Sequence, residues 1–427
     1  MQSAQKREAS GIFRGWWVVL ATAVGLALHS GPIIAATFGV FLEPLSHEFG
    51  WTRAELSMAF SLFTLTGAAA ALVVGRWVDR IGARRVILCS VALFSLAVAS
   101  FYLLSARLWH LYALYIGLGI VGSGTTPLAY SKVIAEWFDQ KRGLALAMGI
   151  VGSSVGSLLL PPFAHALVDQ VGWRMAYAYL GLLIAGIALP VVALLLAEAP
   201  GRNRERDAQE RGAPHLPGPE LSGGEVLRRA SFWRMAGAFF FLSIAFSGCF
   251  VHLVPLLTDR GVSRQSAALA MSVCAGGSLV GRLLCGYLLD RFAANRVAVG
   301  FFCAAALGMA LLCGSEAGAT AFVAAWLIGL MVGAELDLIA YMCSRLFGLR
   351  AFGEIYSYVY ALFVLGGAIG PALMGFGYDA TGSYEVVLRA FLMAPALGIA
   401  LLGHSGSPPH PTRPLGATKA RRGGSTA

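Results

Sequence analysis

Charge is what this chain of 427 residues has least of: Asp, Glu, Lys and Arg make up 13% of it, where soluble domains carry about 25%. With 57% hydrophobic residues, there is too little polar surface to cover a water-soluble globule of this length. Several chemical motifs are missing as well. There is no G-x-x-x-x-G-K-[ST] loop, which argues against ATP hydrolysis within the chain. There is no HExxH, no CxxC and no convincing Ser-His-Asp arrangement, so metal-dependent, thiol-redox and nucleophilic enzymes have no footing, and neither cofactor nor metal is expected. The seven cysteines, Cys89, Cys249, Cys274, Cys285, Cys303, Cys313 and Cys343, fall in or at the edges of apolar runs. They read as small packing residues rather than a disulfide framework.

What the chain does have is long apolar runs, and about 20 apolar residues cross the ~30 Å hydrocarbon core of a bilayer. Twelve spans can be drawn, at 16–42, 54–75, 86–105, 108–136, 143–168 and 173–197, then 232–258, 266–289, 297–315, 318–344, 353–378 and 384–404. The first run is too long for a signal-peptide core and flows into further spans, so it reads as a retained helix. A stretch rich in Arg, Glu, Pro and Gly separates the halves. The expected organisation is a six-helix bundle over 1–197, a linker over 198–231, a second bundle over 232–404 and a disordered tail over 405–427.

The net charge of +10 sits in short loops between spans and forms no basic face for nucleic acid. Most of the 32 Lys and Arg fall on one side of the spans. The opposite side holds Arg53, Arg107, Arg174, Arg260, Arg264 and Arg389, while Lys132 and Arg282 lie inside spans. This asymmetry places both termini in the cytoplasm, and abundant Ala, Gly and Arg suggest a bacterial inner (plasma) membrane.

The halves repeat. Pro44, Leu45, Gly50, Arg53, Gly75, Asp79, Arg80, Arg85 and Val86 recur as Pro255, Leu256, Gly261, Arg264, Gly286, Asp290, Arg291, Arg296 and Val297, always at one offset (290 against 79). Two parallel six-helix repeats are the plan of one large class of carriers. The loop Gly75-Arg76-Trp77-Val78-Asp79-Arg80-Ile81-Gly82-Ala83-Arg84-Arg85 closely resembles the major facilitator signature, G-x-x-x-D-R-x-G-x-R-R; the second copy carries Ala293 where the pattern has glycine. The resemblance implies an all-α membrane protein of twelve helices in two pseudo-symmetric bundles. It also implies a conformational latch made of Gly75, Asp79, Arg80, Gly82 and Arg85 with Gly286, Asp290 and Arg291. In physical terms, Gly75 allows a close helix approach and Gly82 a tight turn. Asp79 suits a helix N-terminus or a pair with Arg80 or Arg85.

A narrower resemblance follows. Trp137-Phe138-Asp139-Gln140-Lys141-Arg142-Gly143 leads into Gly149, Gly152 and Gly156, then Pro161-Pro162. This is similar to the monocarboxylate-porter and oxalate/formate-antiporter branches. Gly366, Gly367, Gly370 and Pro371 repeat the glycine face in span eleven; such faces pack helices and let them slide. Arg282 lies in the middle of span eight, where a guanidinium is costly unless it faces a cavity or a partner. In those branches an arginine four residues before the signature glycine binds the substrate carboxylate, which fits a planar two-pronged donor. The other reading is a structural ion pair with Glu335 or Asp337.

The chain departs from both branches. Ile34-Ala35-Ala36-Thr37 stands where the porters have a helix-one lysine, Ser278 where they have an aspartate, and span eleven has no second cation. One central cation matches one anionic group, so a monocarboxylate is favoured over a dicarboxylate.

Coupling candidates are Glu335, Asp337 and His29. Glu335 and Asp337 flank Leu336 and are expected on different faces, and Lys132 and Glu136 are spaced to pair along one helix. Tyr130, Tyr356, Tyr358 and Tyr360 are candidate donors to the substrate carboxylate. The expected activity is secondary transport of a small organic anion by a monomer in contact with membrane lipids, driven by protons or by exchange. Export of amphipathic drugs or metabolites is the alternative within transport, and a ligand sensor without net transport is the alternative outside it.

Overall fold

The computed structural model describes residues 13–139, 141–199, 221–314 and 318–403, and every regular element among them is helical. The central part of the expected linker, 200–220, and the expected tail from 404 onward lie outside the described residues.

Eleven of the described helices are long and apolar enough to cross a membrane. One of them, Arg142–Leu195, has 54 residues. At 1.5 Å per residue it would reach roughly 80 Å, far beyond one crossing. Gly172 divides it with φ 78° and ψ 160°, backbone angles that a side chain rarely tolerates. The helices are therefore α1 (Arg14–Ala36), α2 (Arg53–Ile81), α3 (Ala83–Leu103), α4 (Leu108–Trp137), α5 (142–171) and α6 (173–195) in the first half. The second half has α7 (Ala230–Asp259), α8 (Arg264–Leu289), α9 (Ala294–Gly314), α10 (Ala319–Leu346), α11 (Phe352–Thr381) and α12 (Glu385–Gly403). The chain is a multi-pass integral membrane protein.

Packing follows the repeat. In the first half α1 lies on α5 and α2 on α4; in the second, α7 lies on α11 and α8 on α10. Small residues set these approaches. A methyl group on Gly152 or Gly156 of α5 would strike the carbonyl of Ala23 or Ala27 in α1. One on Gly366 of α11 would lie 2.6 Å from the Phe240 carbonyl in α7. The glycine stripes are thus packing faces inside each half. The halves meet through two further pairs, α2 against α11 and α5 against α8, which exchange under the repeat. Both pairs touch at the end of the bundle that carries the signature loops, called here the signature face.

Candidate functional site: a buried ionic cluster under a closed face

α8 and α10 approach so closely that a Cβ on Gly333 would lie 2.9 Å from the backbone nitrogen of Arg282. This contact sets Arg282 opposite the next turn of α10. Its Nη1 donates to Oδ2 of Asp337 at 3.4 Å, and both residues are buried, Arg282 at 6% exposure and Asp337 at 0%. Glu335, at 7% exposure, lies within electrostatic reach of both Arg282 and Asp337. The expectation that the two acids divide between separate environments gives way to one shared cluster. The long arginine stem reaches across the arc between them.

From α11, Tyr356 and Tyr360 join this cluster, Tyr356 beside Asp337 and Arg282 and Tyr360 beside Glu335. Their rings stack with centroids 6.0 Å apart. Helical geometry puts residues i and i+4 on one face and i+2 on the other, and Tyr358 is accordingly elsewhere. Its hydroxyl donates to Glu354 Oε1 at 2.6 Å and accepts from Arg76 Nη2 at 3.1 Å. Tyr358 is part of the contact between the halves. Tyr130 is fully buried in the first half, against Gly25 of α1.

Among the described residues, four buried polar atoms without a hydrogen-bond partner meet in the cluster, Arg282 Nε, Asp337 Oδ1, Glu335 Oε2 and the Tyr356 hydroxyl; the Tyr130 hydroxyl and several atoms elsewhere share that state. Each such atom costs about 1–3 kcal/mol. A site that takes a ligand or a proton retains orphans of this kind, because the missing partner arrives with the cargo. One cation faces two acids, all in low dielectric, where each charge must be matched.

His29 differs. Its Nδ1 accepts from the Gly31 amide at 2.9 Å, so Nε2 carries the proton and donates to Ser153 Oγ at 2.9 Å. Both ring nitrogens are engaged, joining the kink of α1 to α5. His29→Gln is expected to cost about 1 kcal/mol of thermal stability and to leave the pH profile of transport in place. A shifted profile, measured by uptake across a pH series, would return His29 to the coupling route.

The signature face is shut by two matching locks. Asp79, at the end of α2, accepts from the amides of Gly353 (3.0 Å) and Glu354 (2.8 Å) in the first turn of α11. Asp290, after α8, accepts from the amides of Gly143 (2.7 Å) and Leu144 (2.9 Å) in the first turn of α5. Each carboxylate thus caps a helix of the opposite half, where the dipole and unused N–H groups favour an anion. Gly75 lies directly against the Gly353 carbonyl, and a Cβ on Gly286 would lie 2.7 Å from the Gly143 carbonyl. Burial raises the Asp290 carboxyl above its ordinary value, against the two amides and the guanidinium groups of Arg345 and Arg142. Opening would rehydrate this group and return its affinity for protons toward normal.

Cations outside the signature's fixed positions stand at these locks. Lys132 of α4, 1% exposed, is paired with Asp79. Arg76 binds Glu354 at 3.1 Å, and Arg345 binds Asp139 at 2.8 Å. Arg80, Arg85 and Arg291 are exposed, and Arg291 lies over the Tyr287 ring at 3.9 Å. Gly82 turns the chain with φ 98°. Sequence reading missed Arg76, Glu354 and Arg345. One signal was present: Gly143, Gly156 and Pro161 recur at Gly353, Gly366 and Pro371, one offset throughout (353 against 143), which marks the starts of α5 and α11 as equivalent.

Two pseudo-symmetric bundles, locked across one face above a buried ionic cluster, define a membrane transporter that works by moving its halves. The chain belongs to the Major Facilitator Superfamily, whose sequence pattern matches residues 24–371 and 258–425; it is a secondary transporter and not an enzyme. Among curated relatives, Monocarboxylate transporter 11 of Homo sapiens is 30% identical over 90% of this chain and 81% of its own length. Monocarboxylate transporter 13 of Rattus norvegicus is 27% identical over 91% and 89%. Among solved structures, the Escherichia coli fucose:proton symporter FucP superposes with a TM-score of 0.67 at 15% identity, over 91% of this chain and 97% of that one. The proton:xylose symporter XylE gives 0.65 at 12%, over 91% and 94%. At these identities the structures share the fold.

Proposed function

We propose that the protein carries a short monocarboxylate together with a proton, with Arg282 as the anion-binding group and Asp337 as the coupling carboxyl. The observation that carries this reading is the incomplete Arg282–Asp337 pair, joined by one long hydrogen bond with an unpartnered atom on each side. A carboxylate cargo can engage the guanidinium through two parallel bonds, but it then competes with Asp337 for the same donor. A proton on Asp337 removes that competition and keeps the buried charge unchanged as the anion enters. Glu335 stays neutral in this scheme and donates, with Tyr356 and Tyr360, to the polar end of the cargo. The monocarboxylate in the relatives' names fits this chemistry. The two domains rock about the cluster, the signature face is cytoplasmic, and the carrier acts as a monomer in the cell membrane.

The test uses purified protein in proteoliposomes with labelled acetate, lactate and benzoate. Uptake is expected to rise when the outside is acidified, with one proton entering per anion. If no carboxylate enters or stabilises the protein while lipophilic cations do, the exporter reading replaces this one. If ligand binds but labelled counterflow is absent, the sensor reading does.

A further inference from the structure

The outer side of the second half holds a feature that transport does not use. A cavity of about 300 Å³ lies between α8, α9 and α10, with Leu284, Leu288, Phe292, Phe301 and Leu330 among its walls. Its floor is Gly300, above which a Cβ would meet nothing within 4 Å. The cavity opens outward, since Leu284 and Phe292 are 40% and 52% exposed, and at this depth the surrounding solvent is hydrocarbon. From Arg296 to Ala304, both at its wall, α9 rises about 12 Å, enough for a length of acyl chain to lie along it.

One end of this apolar slot is cationic. Arg296 lines it and is exposed, at the start of α9 where the signature face meets the membrane boundary. Arg291, on the same short connection, is also exposed and rests on the Tyr287 ring. The neighbouring acid, Asp290, is turned inward and occupied by the α5 amides. The Arg296 guanidinium at the mouth of a hydrocarbon-filled slot, with the exposed Arg291 five residues before it in the chain, matches a lipid that carries net negative charge and places its phosphate at the interface. The first half has Cys89 at the repeat position of Gly300, so the matching floor there carries a side chain.

We propose that this slot binds one acyl chain of an anionic phospholipid, with Arg296 on its phosphate. Its walls include Leu284 and Leu288 of α8 and Leu330 of α10, the two helices that bear Arg282, Glu335 and Asp337. A bound chain therefore bears on the helix pair that sets the distance between the arginine and its acids.

The experiment is native mass spectrometry of the full chain in detergent with dioleoyl phosphatidylglycerol, phosphatidylethanolamine and phosphatidylcholine at equal concentration. The wild type is expected to retain phosphatidylglycerol preferentially. Arg296→Gln is expected to lower that retention about fivefold, the loss of one basic residue's attraction to an anionic headgroup, and to leave phosphatidylcholine unchanged. Gly300→Phe, which fills the slot, is expected to lose the same adduct with Arg296 intact. Thermal unfolding near the wild-type midpoint shows that both variants are folded. Equal retention of the three lipids by the wild type, or phosphatidylglycerol retention unmoved by Arg296→Gln in a folded protein, overturns the proposal.

Discussion

Arg282→Ala is expected to lower carboxylate uptake about a hundredfold, the equivalent of losing roughly 3 kcal/mol of charge-assisted binding. The same change strands Asp337 at 0% exposure. Removing one partner of a buried pair destabilises by about 3–5 kcal/mol, so the single variant alone would not separate loss of fold from loss of binding. Arg282→Met with Asp337→Asn removes both charges and is expected to recover stability without recovering uptake. Arg282→Lys keeps the charge but not the two-pronged donor, and is expected to fall between wild type and alanine. Asp337→Asn takes the proton out of the cycle: counterflow of labelled anion should persist while acid-driven accumulation disappears. Uptake and thermal unfolding measured on all four variants decide the matter. Near-normal uptake by the folded double variant would end the anion assignment, and intact proton-driven accumulation by Asp337→Asn would end the coupling assignment alone.

How far the sequence leads differs between fold and site. Spans and duplication are written in composition and in a single offset, which survive without knowing any contact, so the two-bundle plan is legible at once. The α5–α6 boundary is also local, because only glycine readily adopts the angles found at Gly172. The site depends instead on contacts between distant positions. Lys132 and Glu136 stand four apart, and that spacing gives no sign that Lys132 meets an aspartate from another helix, Asp79. Glu335 and Asp337 look separated because helical rotation separates their Cβ atoms, yet Arg282 draws both into one field. Tyr358 was separable from Tyr356 and Tyr360 on periodicity alone. Which of the two faces pointed to the cluster was not, since that depends on how α11 is rotated against α7 and α10. The unpartnered atoms of Arg282, Asp337, Glu335 and Tyr356 appear only once the packing that starves them of water is known.

Replacing Asp79 and Asp290 together by alanine is expected to invert the equilibrium between closed and open signature face. Each aspartate accepts two amide bonds from the opposite half, and a hydrogen bond to a charged group contributes about 1.5–3 kcal/mol. Moving a two-state balance from 1:99 to 99:1 takes about 5.5 kcal/mol, within what both locks supply and beyond what one alone reliably does. Either single variant is therefore expected to leave a mixture. Lys132→Met keeps both helix caps and is expected to shift the balance less than Asp79→Ala. Gly75→Leu reaches the open state by another route: its side chain would occupy the space of the Gly353 carbonyl, and overpacking of this kind costs about 1–3 kcal/mol. Spin labels, one per half on the signature face with Cys89 and Cys303 replaced by serine, report the distance distribution directly. A distribution unchanged in the double variant would mean that other contacts hold the face shut, with Arg345–Asp139 and Arg76–Glu354 first among them. If the inversion occurs, affinity for cargo offered from the opposite face should fall in proportion to the lost closed population, which ties the lock to the transport cycle by a number rather than by position.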